Sequence, residues 1–168
     1  MRTLVIAAVF TALAAQAGAQ AQASDLSDQV LAVHNTERAA VGVAPLTWSD
    51  SLAGDAQVWA NHLADIDQLV HAGGDTNPNE GENLAEGSSG GYTDGELAQL
   101  WADEKSYFVY GTFPDVSNDG NWANVGHYTQ MIWANTTQVG CAHASSSSND
   151  FLVCRYNPSG NYMGEKVY

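Results

Sequence analysis

Two ionisable side chains in this chain stand at positions whose neighbours predict burial. His127 lies at the head of the apolar stretch 126–133, and a buried histidine needs a polar partner. Glu104 follows Leu100 by four residues and precedes Phe108 by four, which places it on the core-facing stripe of a predicted helix. A carboxylate is out of place on such a stripe unless it is paired. These two residues are therefore the first candidates for a polar site.

Two further ionisable residues complete a candidate set. His71 stands at the mouth of a glycine-rich segment, and Glu82 lies in the short, partly apolar stretch 81–85 within that segment. Two histidines and two carboxylates in one cleft can bind a divalent metal ion such as Zn²⁺, act as general acid and base, or satisfy one another as a structural network. The four residues are scattered along the chain and form no His-Glu-x-x-His motif, so their spacing leaves all three interpretations open.

Helices are the first elements expected to position this set. Four helices are predicted from apolar periodicity and capping residues: residues 26–41, a second from a cap at Thr47 or Ser49 to about Ile66, a third opened by the capping box Thr93-x-x-Glu96, and a short fourth over 126–134.

On the first of these helices, His34, Glu37 and Arg38 are interpreted as a hydrogen-bonding group at the helix surface.

Loops and strands fill the remainder. Residues 73–95 hold seven glycines and little periodicity, which predicts a long functional loop inside the domain. Residues 138–144 and 151–156 are predicted strands, and 162–168 are expected to form a last short strand. Helices followed by strands indicate an α+β layered domain.

Two cysteines, Cys141 and Cys154, lie 13 residues apart on the two predicted strands. In an exported chain such a pair most simply forms one disulfide, and two opposed strands would bring these residues together. A redox-active thiol pair is the lesser alternative, because the sequence has no Cys-x-x-Cys motif.

The N-terminus predicts export. Residues 1–19 combine a basic start, an apolar run and an Ala-x-Ala site, which together indicate a signal peptide whose cleavage could fall as late as residue 23. Residues 24–168 then form a single domain, secreted to the extracellular space, or to the periplasm if the source is bacterial. No other apolar run is long enough to cross a bilayer, so no transmembrane segment is expected.

The net charge of the chain limits the classes of partner that it is expected to bind. The formal net charge is −14, and removal of the signal peptide takes away one cation, Arg2, and no acid. So negative a chain is not expected to bind nucleic acid or anionic lipid surfaces. It would attract metal cations, although acidity also serves solubility alone.

Five sequence blocks resemble the CAP superfamily of cysteine-rich secretory proteins, insect venom antigen 5 and plant pathogenesis-related 1 proteins. Residues 126–133, Gly-His-Tyr-Thr-Gln-Met-Ile-Trp, resemble the first family signature, and residues 151–161 resemble the second. The similarity extends over nearly all of the chain after the signal peptide, from about residue 29 to the end. The other three blocks are His34-Asn35-x-x-Arg38, Pro45-Leu46-x-Trp48 and Gly81-Glu82-Asn83-Leu84-Ala85.

The resemblance implies a three-layer α-β-α sandwich with a central, mainly antiparallel sheet and a cleft. The family's tetrad of two histidines and two glutamates falls on His71, Glu82, Glu104 and His127. Family members bind a divalent metal through the two histidines, so His71 and His127 are expected as ligands with the glutamates in support. The family's cysteine pairing also implies a Cys141–Cys154 disulfide.

Departures from the family pattern bear on activity. Ala72 stands where a serine proposed as a protease nucleophile follows the first tetrad histidine in some relatives. Fungal and plant relatives bind sterols or fatty acids in apolar grooves. Four aromatic residues here can line such a groove or serve ordinary packing: Tyr107, Phe108, Tyr110 and Phe113.

The expected function is that of a secreted pathogenesis-related 1-like protein that acts by binding rather than by catalysis. It would bind a divalent cation in the cleft and a sterol or fatty acid in an apolar groove. One alternative is a metal-dependent hydrolase in which Glu82 or Glu104 activates water. The other is an extracellular interaction module with a structural tetrad. In a eukaryotic source, Asn135 would be a glycosylation site.

Overall fold

The computed structural model describes residues 26–73 and 79–168 of the chain. The predicted signal peptide lies outside these residues and stays a prediction. In the described part, no helix has the length and apolar character needed to cross a membrane. The helices and strands, in chain order, are α1 (residues 26–40), β1 (Thr47–Trp48), α2 (Asp50–Ile66), β2 (Gly81–Ser88), α3 (Asp94–Asp103), two 3₁₀ turns (Glu104–Ser106 and Trp122–Asn124), α4 (Gly126–Met131), β3 (Gln138–Ser145) and β4 (Asn149–Asn157).

The central sheet has the strand order β1-β3-β4-β2. Only the two-residue strand β1 runs parallel to its neighbour, and the β3–β4 and β4–β2 pairs are antiparallel. The prediction of a mainly antiparallel sheet is therefore confirmed. Cys141 and Cys154 are directly opposed in the β3–β4 ladder and form the predicted disulfide, with their Cα atoms 4.1 Å apart.

Helices cover both faces of the sheet. Because side chains alternate along a strand, Phe151 and Val153 of β4 face α2, where they pack with Leu63. Leu152 and Cys154 point to the opposite face and pack with residues of α1, α3 and α4. The α+β sandwich predicted from the element order and the family resemblance is confirmed.

Local signals position two of the helices as the sequence predicted. The Ser49 hydroxyl accepts a hydrogen bond from Leu52 N–H and begins α2, which ends at Asp67 in the left-handed conformation, with φ 51°. Thr93 and Glu96 make the reciprocal hydrogen bonds of a capping box at the start of α3. That helix ends just before Glu104, so its last turn positions one of the candidate residues.

Part of the glycine-rich loop prediction is wrong. Residues 81–88 form strand β2, paired along its whole length with β4. Glycine, asparagine and glutamate have weak strand propensity, so the local sequence does not favour this conformation. Pairing with the strongly β-prone strand β4 overrides that preference.

One further strand prediction is wrong, and one strand was not predicted. Residues 162–168 are not a strand and make only an isolated bridge, between Lys166 and Thr112. Conversely, Thr47–Trp48 is strand β1, which periodicity cannot detect because the pairing is two residues long. In both cases a distant partner decides the conformation.

The interpretation of His34, Glu37 and Arg38 as a surface group is wrong. Their exposed fractions are 0%, 6% and 1%, so all three lie on the buried side of α1. Each of the three has at least one polar partner distant in sequence, which sequence periodicity does not reveal. Arg38, for example, donates to the carbonyls of Met131 and Trp133 at the end of α4.

Candidate functional site

His71 and Glu82 form the first half of the candidate site. His71 follows α2, and its Nδ1 lies 2.6 Å from Glu82 Oε1 in strand β2. The same carboxylate oxygen accepts a hydrogen bond of 3.0 Å from Ala72 N–H. Because an ionised carboxylate only accepts, Nδ1 of His71 carries a hydrogen, and in the neutral form of the ring Nε2 carries the lone pair.

The second oxygen of Glu82 faces a buried cation. Arg155 is opposite Glu82 in the β2–β4 ladder, and its Nη2 lies 2.8 Å from Glu82 Oε2. The contact is an ion pair without the alignment of a hydrogen bond, because Glu82 Oε2 has no hydrogen-bond partner among the described residues. The negative charge of Glu82 is thus shared between a histidine and an arginine.

Glu104 and His127 form the second half. His127 Nδ1 lies 2.6 Å from Glu104 Oε1, while Glu104 Oε2 accepts hydrogen bonds of 3.0 Å from the backbone N–H groups of His127 and Tyr128. A carboxylate in this position satisfies backbone donors in the first turn of α4. Trp101 lies alongside, with its ring stacked on the His127 ring at a centroid distance of 6.2 Å.

Strand β2 connects the two halves. Glu82 and Asn83 are consecutive, so their side chains leave opposite faces of the strand. Glu82 contacts His71, and Asn83 donates a hydrogen bond of 3.1 Å to the carbonyl of His127. In the part of the chain described here, no hydrogen bond or ion pair joins one pair directly to the other. The four predicted residues therefore form two histidine–glutamate pairs at one edge of the sheet.

A buried hydrogen-bonded chain supports Asn83. Asn83 also donates to the Tyr156 hydroxyl at 3.0 Å, and His34 Nε2 lies 2.7 Å from the same hydroxyl. Burial raises the pKa of Tyr156 well above its usual range, so the hydroxyl keeps its proton and donates it to His34. His34 Nδ1–H then donates to the carbonyl of Val30 in α1. The position of His127 thus depends on contacts that reach the first helix.

Both histidine rings contact their glutamates through the same nitrogen, Nδ1. Both Nδ1 atoms are hydrogen-bonded to carboxylates, and neither Nε2 has a hydrogen-bond partner among residues 26–73 and 79–168. Carboxylate–histidine pairs of this kind orient an imidazole and raise its basicity towards a metal. Within the same residues, no group of three or more His, Cys, Asp or Glu side chains is arranged to hold an ion. The nitrogen donors that the four residues offer to an ion are the two Nε2 atoms.

A cavity of about 350 Å³ opens beside the first pair. His71 and Glu82 line it, together with Arg155 from β4 and Asn161 from the turn after β4. The His71 side chain is 62% exposed, whereas that of Glu82 is 9% exposed. The histidine is therefore accessible to an ion from solvent, and its carboxylate partner is held in place by the protein.

The four aromatic residues predicted to line a lipid groove divide into two groups. Phe113 is buried in the core, and Phe108 packs edge-on against Tyr128. Tyr107 and Tyr110 are exposed, and the Tyr110 hydroxyl donates to the C-terminal residue's carbonyl. None of the four lines the cavity beside His71. The groove remains a prediction.

Comparison with known proteins identifies the family. The family described as "CAP: Cysteine-rich secretory protein family" matches residues 31–156 of this chain. The chain belongs to the CAP family. All four tetrad residues of this CAP protein fall within the matched range, and so do both cysteines.

Plant pathogenesis-related proteins are among its relatives. Pathogenesis-related protein 1A of Nicotiana tabacum is 41% identical over 148 residues, which are 88% of this chain and 83% of the relative. Pathogenesis-related protein 1 of Arabidopsis thaliana is 35% identical over 161 residues, covering 95% of this chain and 93% of the relative. The CAP protein is thus similar to pathogenesis-related 1 proteins over almost its full length.

Solved structures confirm the fold. Na-ASP-1 superposes with a TM-score of 0.69 at 27% identity, over 85% of this chain and 41% of that one. The structure of NaASP2 with Zn²⁺ gives a TM-score of 0.70 at 23% identity, over 84% of this chain and 83% of that one. At that identity the second comparison supports the fold alone.

Sequence reasoning missed two residues of the site, Asn83 and Arg155. Arg155 had a detectable signal, because it is the one cation within the apolar strand 151–156. Asn83 had none, since an asparagine in a glycine-rich segment predicts a turn. Its partners, Tyr156 and the His127 carbonyl, are brought together only by the sheet.

His143, for which the sequence showed no partner, lies in a second ionic cluster. Its Nδ1 is 2.6 Å from Asp94 Oδ1 and its Nε2 is 3.4 Å from Asp150 Oδ1. The hydrogen bond to Asp94, with the charges of both carboxylates, raises the pKa of His143. Its protonated form therefore ties the start of α3 to the β3–β4 hairpin, and this contribution weakens as the pH rises through the raised pKa.

Proposed function

We propose that this CAP protein is a secreted, non-enzymatic binding protein of the pathogenesis-related 1 type, which binds one divalent cation such as Zn²⁺ through His71 and His127. The observation that carries the proposal is the state of the two rings: each donates Nδ1–H to a glutamate and leaves Nε2 without a partner among the described residues. Neutral imidazole is a preferred ligand of zinc and similar metals. The net charge of −14 also favours a cation.

The roles of the protein groups follow from their contacts. His71 and His127 would supply the ligating nitrogens, and Glu82 and Glu104 would fix the ring orientations from the second coordination sphere. Ala72 N–H and the first amides of α4 hold those glutamates in place. A bound divalent cation would supply a localised positive charge and a Lewis-acidic position open to solvent or to a ligand.

A hydrolase using the same four residues is less well supported. Glu104 uses both carboxylate oxygens on hydrogen bonds to His127 and Tyr128. Glu82 uses one oxygen on His71 and Ala72 and directs the other at Arg155. A general base needs an oxygen within reach of the water that it deprotonates. These contacts engage three of the four glutamate oxygens in hydrogen bonds and the fourth in an ion pair, and Ala72 offers no nucleophile, which supports binding over hydrolysis.

A purely structural tetrad is the remaining alternative. Each histidine–glutamate pair is closed and anchored to backbone groups, which also fits a role in holding β2 against α4. Under that interpretation the free Nε2 atoms would have no ligand. Metal binding by the purified protein distinguishes the two proposals.

The first prediction concerns zinc binding. Calorimetric titration of the wild-type protein with ZnCl₂ should show one ion per chain, and His71→Ala combined with His127→Ala should weaken binding by about 100-fold or more, because both nitrogen ligands are lost. Each single substitution should weaken it by about tenfold or more. His62→Ala, which removes an exposed histidine that has no contact with the four site residues among the hydrogen bonds and ion pairs described, serves as the control and should bind as wild type does. Unchanged affinity in the double variant would refute the metal site.

A lipid-binding role is proposed for the exposed aromatic segment. Tyr107, Val109 and Tyr110 expose nearly half of their surface, and Tyr168 stacks beside Tyr110. Such a patch could accept a sterol or a fatty acid at the surface. Retention of a labelled sterol by the purified protein, and its loss in Tyr110→Ser, would support this role; no retention by the wild type would end it.

Export is proposed from residues 1–19, and Asn135 is proposed as a glycosylation site in a eukaryotic source. Asn135 is exposed, and the hydroxyl-bearing Thr137 of its sequon is exposed as well. Both proposals fit the composition of the chain, whose two cysteines are joined in a disulfide.

A further inference from the structure

A second cavity, of about 650 Å³, lies on the β3 side of the sheet, away from the histidine–glutamate pairs at β2. Three consecutive residues of β3 line it, Cys141, Ala142 and His143. Because side chains alternate between the two faces of a strand, a cavity that reaches all three cannot lie over one face alone. Gly54 of α2 and Leu26 of α1, which belong to opposite helical layers, also line it. The cavity therefore lies along the edge of β3, between the two layers.

The main-chain pairing of β3 on this side stops beside the cavity. Strand β1 pairs only with Gln138 and Val139, and the next hydrogen bond, from Ser49 N–H to the Val139 carbonyl, is the last that the chain makes before it turns into α2. Strand β3 continues to Ser145, paired with β4 on its other side. Within the part of the chain that the structure describes, β3 is thus an edge strand beyond Val139.

The register of the β3–β4 hairpin identifies the main-chain groups at this edge. Just beyond β3, Ser146 N–H donates to the Asn149 carbonyl, so the even-numbered residues of the strand are those that bond to β4. Cys141 and Cys154 are then a non-hydrogen-bonded pair, which agrees with their Cα separation of 4.1 Å. The N–H and carbonyl groups of Cys141 and His143 accordingly point away from β4, towards the cavity.

One side chain covers part of the edge. Gln57 Nε2 donates a hydrogen bond of 3.3 Å to the His143 carbonyl and another of 2.9 Å to Asn61 Oδ1. Gln57 is exposed, and its bond to His143 is longer than usual for such a contact. A main-chain donor can therefore displace this amide while the bond to Asn61 is kept. The edge is open to pairing with an added strand.

The charges of the cavity indicate which kind of strand fits. Asp50 and Asp94 both line it, and Asp50 accepts a hydrogen bond of 3.1 Å from Trp48 Nε1, whose ring is part of the same wall. Carboxylates beside an indole ring attract ammonium and guanidinium groups. His143 is the one basic side chain among the described residues of the wall, and it already lies between Asp94 and Asp150.

We infer that the edge of β3 beside this cavity is a docking site for an extended peptide segment of a partner protein that carries lysine or arginine side chains. The segment would add a strand to the sheet along residues 141–143. Main-chain hydrogen bonds would supply affinity, and Asp50, Asp94 and Trp48 would select basic side chains. The net charge of −14 favours encounter with such a partner. The site lies away from the proposed metal ligands, so peptide binding should not require zinc.

Fluorescence anisotropy with a labelled, end-capped pentapeptide of alternating lysine and valine tests the site. The wild-type protein should bind one peptide per chain, with or without zinc. The same peptide N-methylated at every residue should bind about tenfold or more weakly, because it cannot donate main-chain hydrogen bonds. A glutamate–valine peptide should bind more weakly than the lysine–valine peptide does. Absence of saturable binding by the wild type overturns the docking site.

Gly54→Trp is the variant that fills the cavity. Apart from the adjoining helix backbone, nothing lies within 4 Å of a Cβ atom added at Gly54, so an indole there has room to enter. Peptide affinity should fall by about tenfold or more, because indole and peptide compete for one space. Val58→Trp adds an indole at a 71% exposed position of α2 outside the cavity wall and should bind as the wild type does. Equal affinities in the two variants would contradict the proposal.

Asp50→Asn tests the selection of basic side chains, since asparagine can still accept from Trp48. It should weaken binding of the lysine peptide by about two- to fivefold, the range of an exposed ion pair. Asp55→Asn removes the same charge from α2 outside the cavity wall and should have no effect. Equal losses would show that only net charge matters and would overturn this selection.

Amide hydrogen exchange in the wild-type protein shows whether the peptide adds a strand. Exchange at Cys141 and His143 should slow by about tenfold or more with the peptide bound, whereas Ala142 and Ala144, which bond to β4, should slow no more than the residues of β2. Binding without this protection overturns the docking mode, and the result stands even if Gly54→Trp does not fold. A wild-type dimer in sedimentation equilibrium that the lysine peptide does not dissociate also overturns it, since the edge would then pair with a second copy of this chain.

Discussion

Arg38→Ala should lower the free energy of unfolding by about 3–5 kcal/mol. Arg38 is 1% exposed and donates four hydrogen bonds of 2.6–2.9 Å to backbone carbonyls, those of Ala44, Met131, Trp133 and Thr136. Burial lowers the pKa of Arg38 to about 10, so the guanidinium remains charged at neutral pH. Alanine would remove all four donors: the carbonyls of the buried residues Met131 and Thr136 would lose this partner, whereas the Trp133 carbonyl would keep the Thr136 N–H.

Urea unfolding at pH 7 measures this effect. Since small domains have a total stability of about 5–15 kcal/mol, Arg38→Ala is expected to leave the protein marginal or unfolded at 37 °C. Lys166→Ala removes the same charge from the surface, where Lys166 lies over the Tyr110 ring, and should cost about 1 kcal/mol or less. Equal losses in the two variants would show that Arg38 contributes only its charge.

The second large effect is a loss of stability in mild acid caused by His34. Burial lowers the pKa of His34 to about 4, from an ordinary value of 6.5. Between these pH values the unfolded chain binds a proton at His34 and the folded chain does not, so stability falls as the pH decreases. A shift of this size corresponds to about 3 kcal/mol, present in full above pH 6.5 and lost by about pH 4.

His34→Gln separates this contribution from that of the acidic side chains, which also titrate in acid. The variant should be less stable than the wild type at pH 7, because Gln cannot bridge Tyr156 and the Val30 carbonyl in the same way. The difference between the two proteins should shrink by about 3 kcal/mol between pH 7 and pH 4. His62→Gln, at an exposed position, should leave the pH dependence of wild-type unfolding unchanged. A constant difference across the range would exclude His34 as its cause.

Both predictions concern residues that support the candidate site. Arg38 holds the carbonyl end of α4, the helix whose first turn carries His127. His34 holds Tyr156, which with Asn83 reaches the carbonyl of His127. The first helix therefore fixes the position of one proposed metal ligand from both directions. Folded variants at Arg38 or His34 would therefore be expected to lose part of their zinc affinity, because each residue helps to position His127.

Local chemistry explains which predictions from the sequence were confirmed. The Ser49 cap and the Thr93–Glu96 capping box depend on residues within one helical turn, so sequence alone reveals them. Glu104 was detectable because a carboxylate on an apolar stripe is anomalous wherever the partner lies. Its partner, His127, was detectable because it is a histidine at the head of an apolar stretch.

Predictions that depended on distant groups were wrong or incomplete. Strand β2 has a composition that predicts a loop, and only its pairing with β4 makes it a strand. Arg38 was interpreted as part of a hydrogen-bonding group on the helix surface with His34 and Glu37, but its four carbonyl acceptors lie in segments up to 98 residues away. Neither contact has a signature in local spacing.

The sequence by itself determined the α+β class, the disulfide between Cys141 and Cys154, the CAP family and the four residues of the candidate site. Tertiary structure alone decided that the four form two histidine–glutamate pairs and that Arg155 shares the charge of Glu82. The physical reason is that neighbours in sequence show when a charged or polar residue occupies a position that is predicted to be buried. Its partner is chosen by strand register and helix packing, which depend on the whole chain.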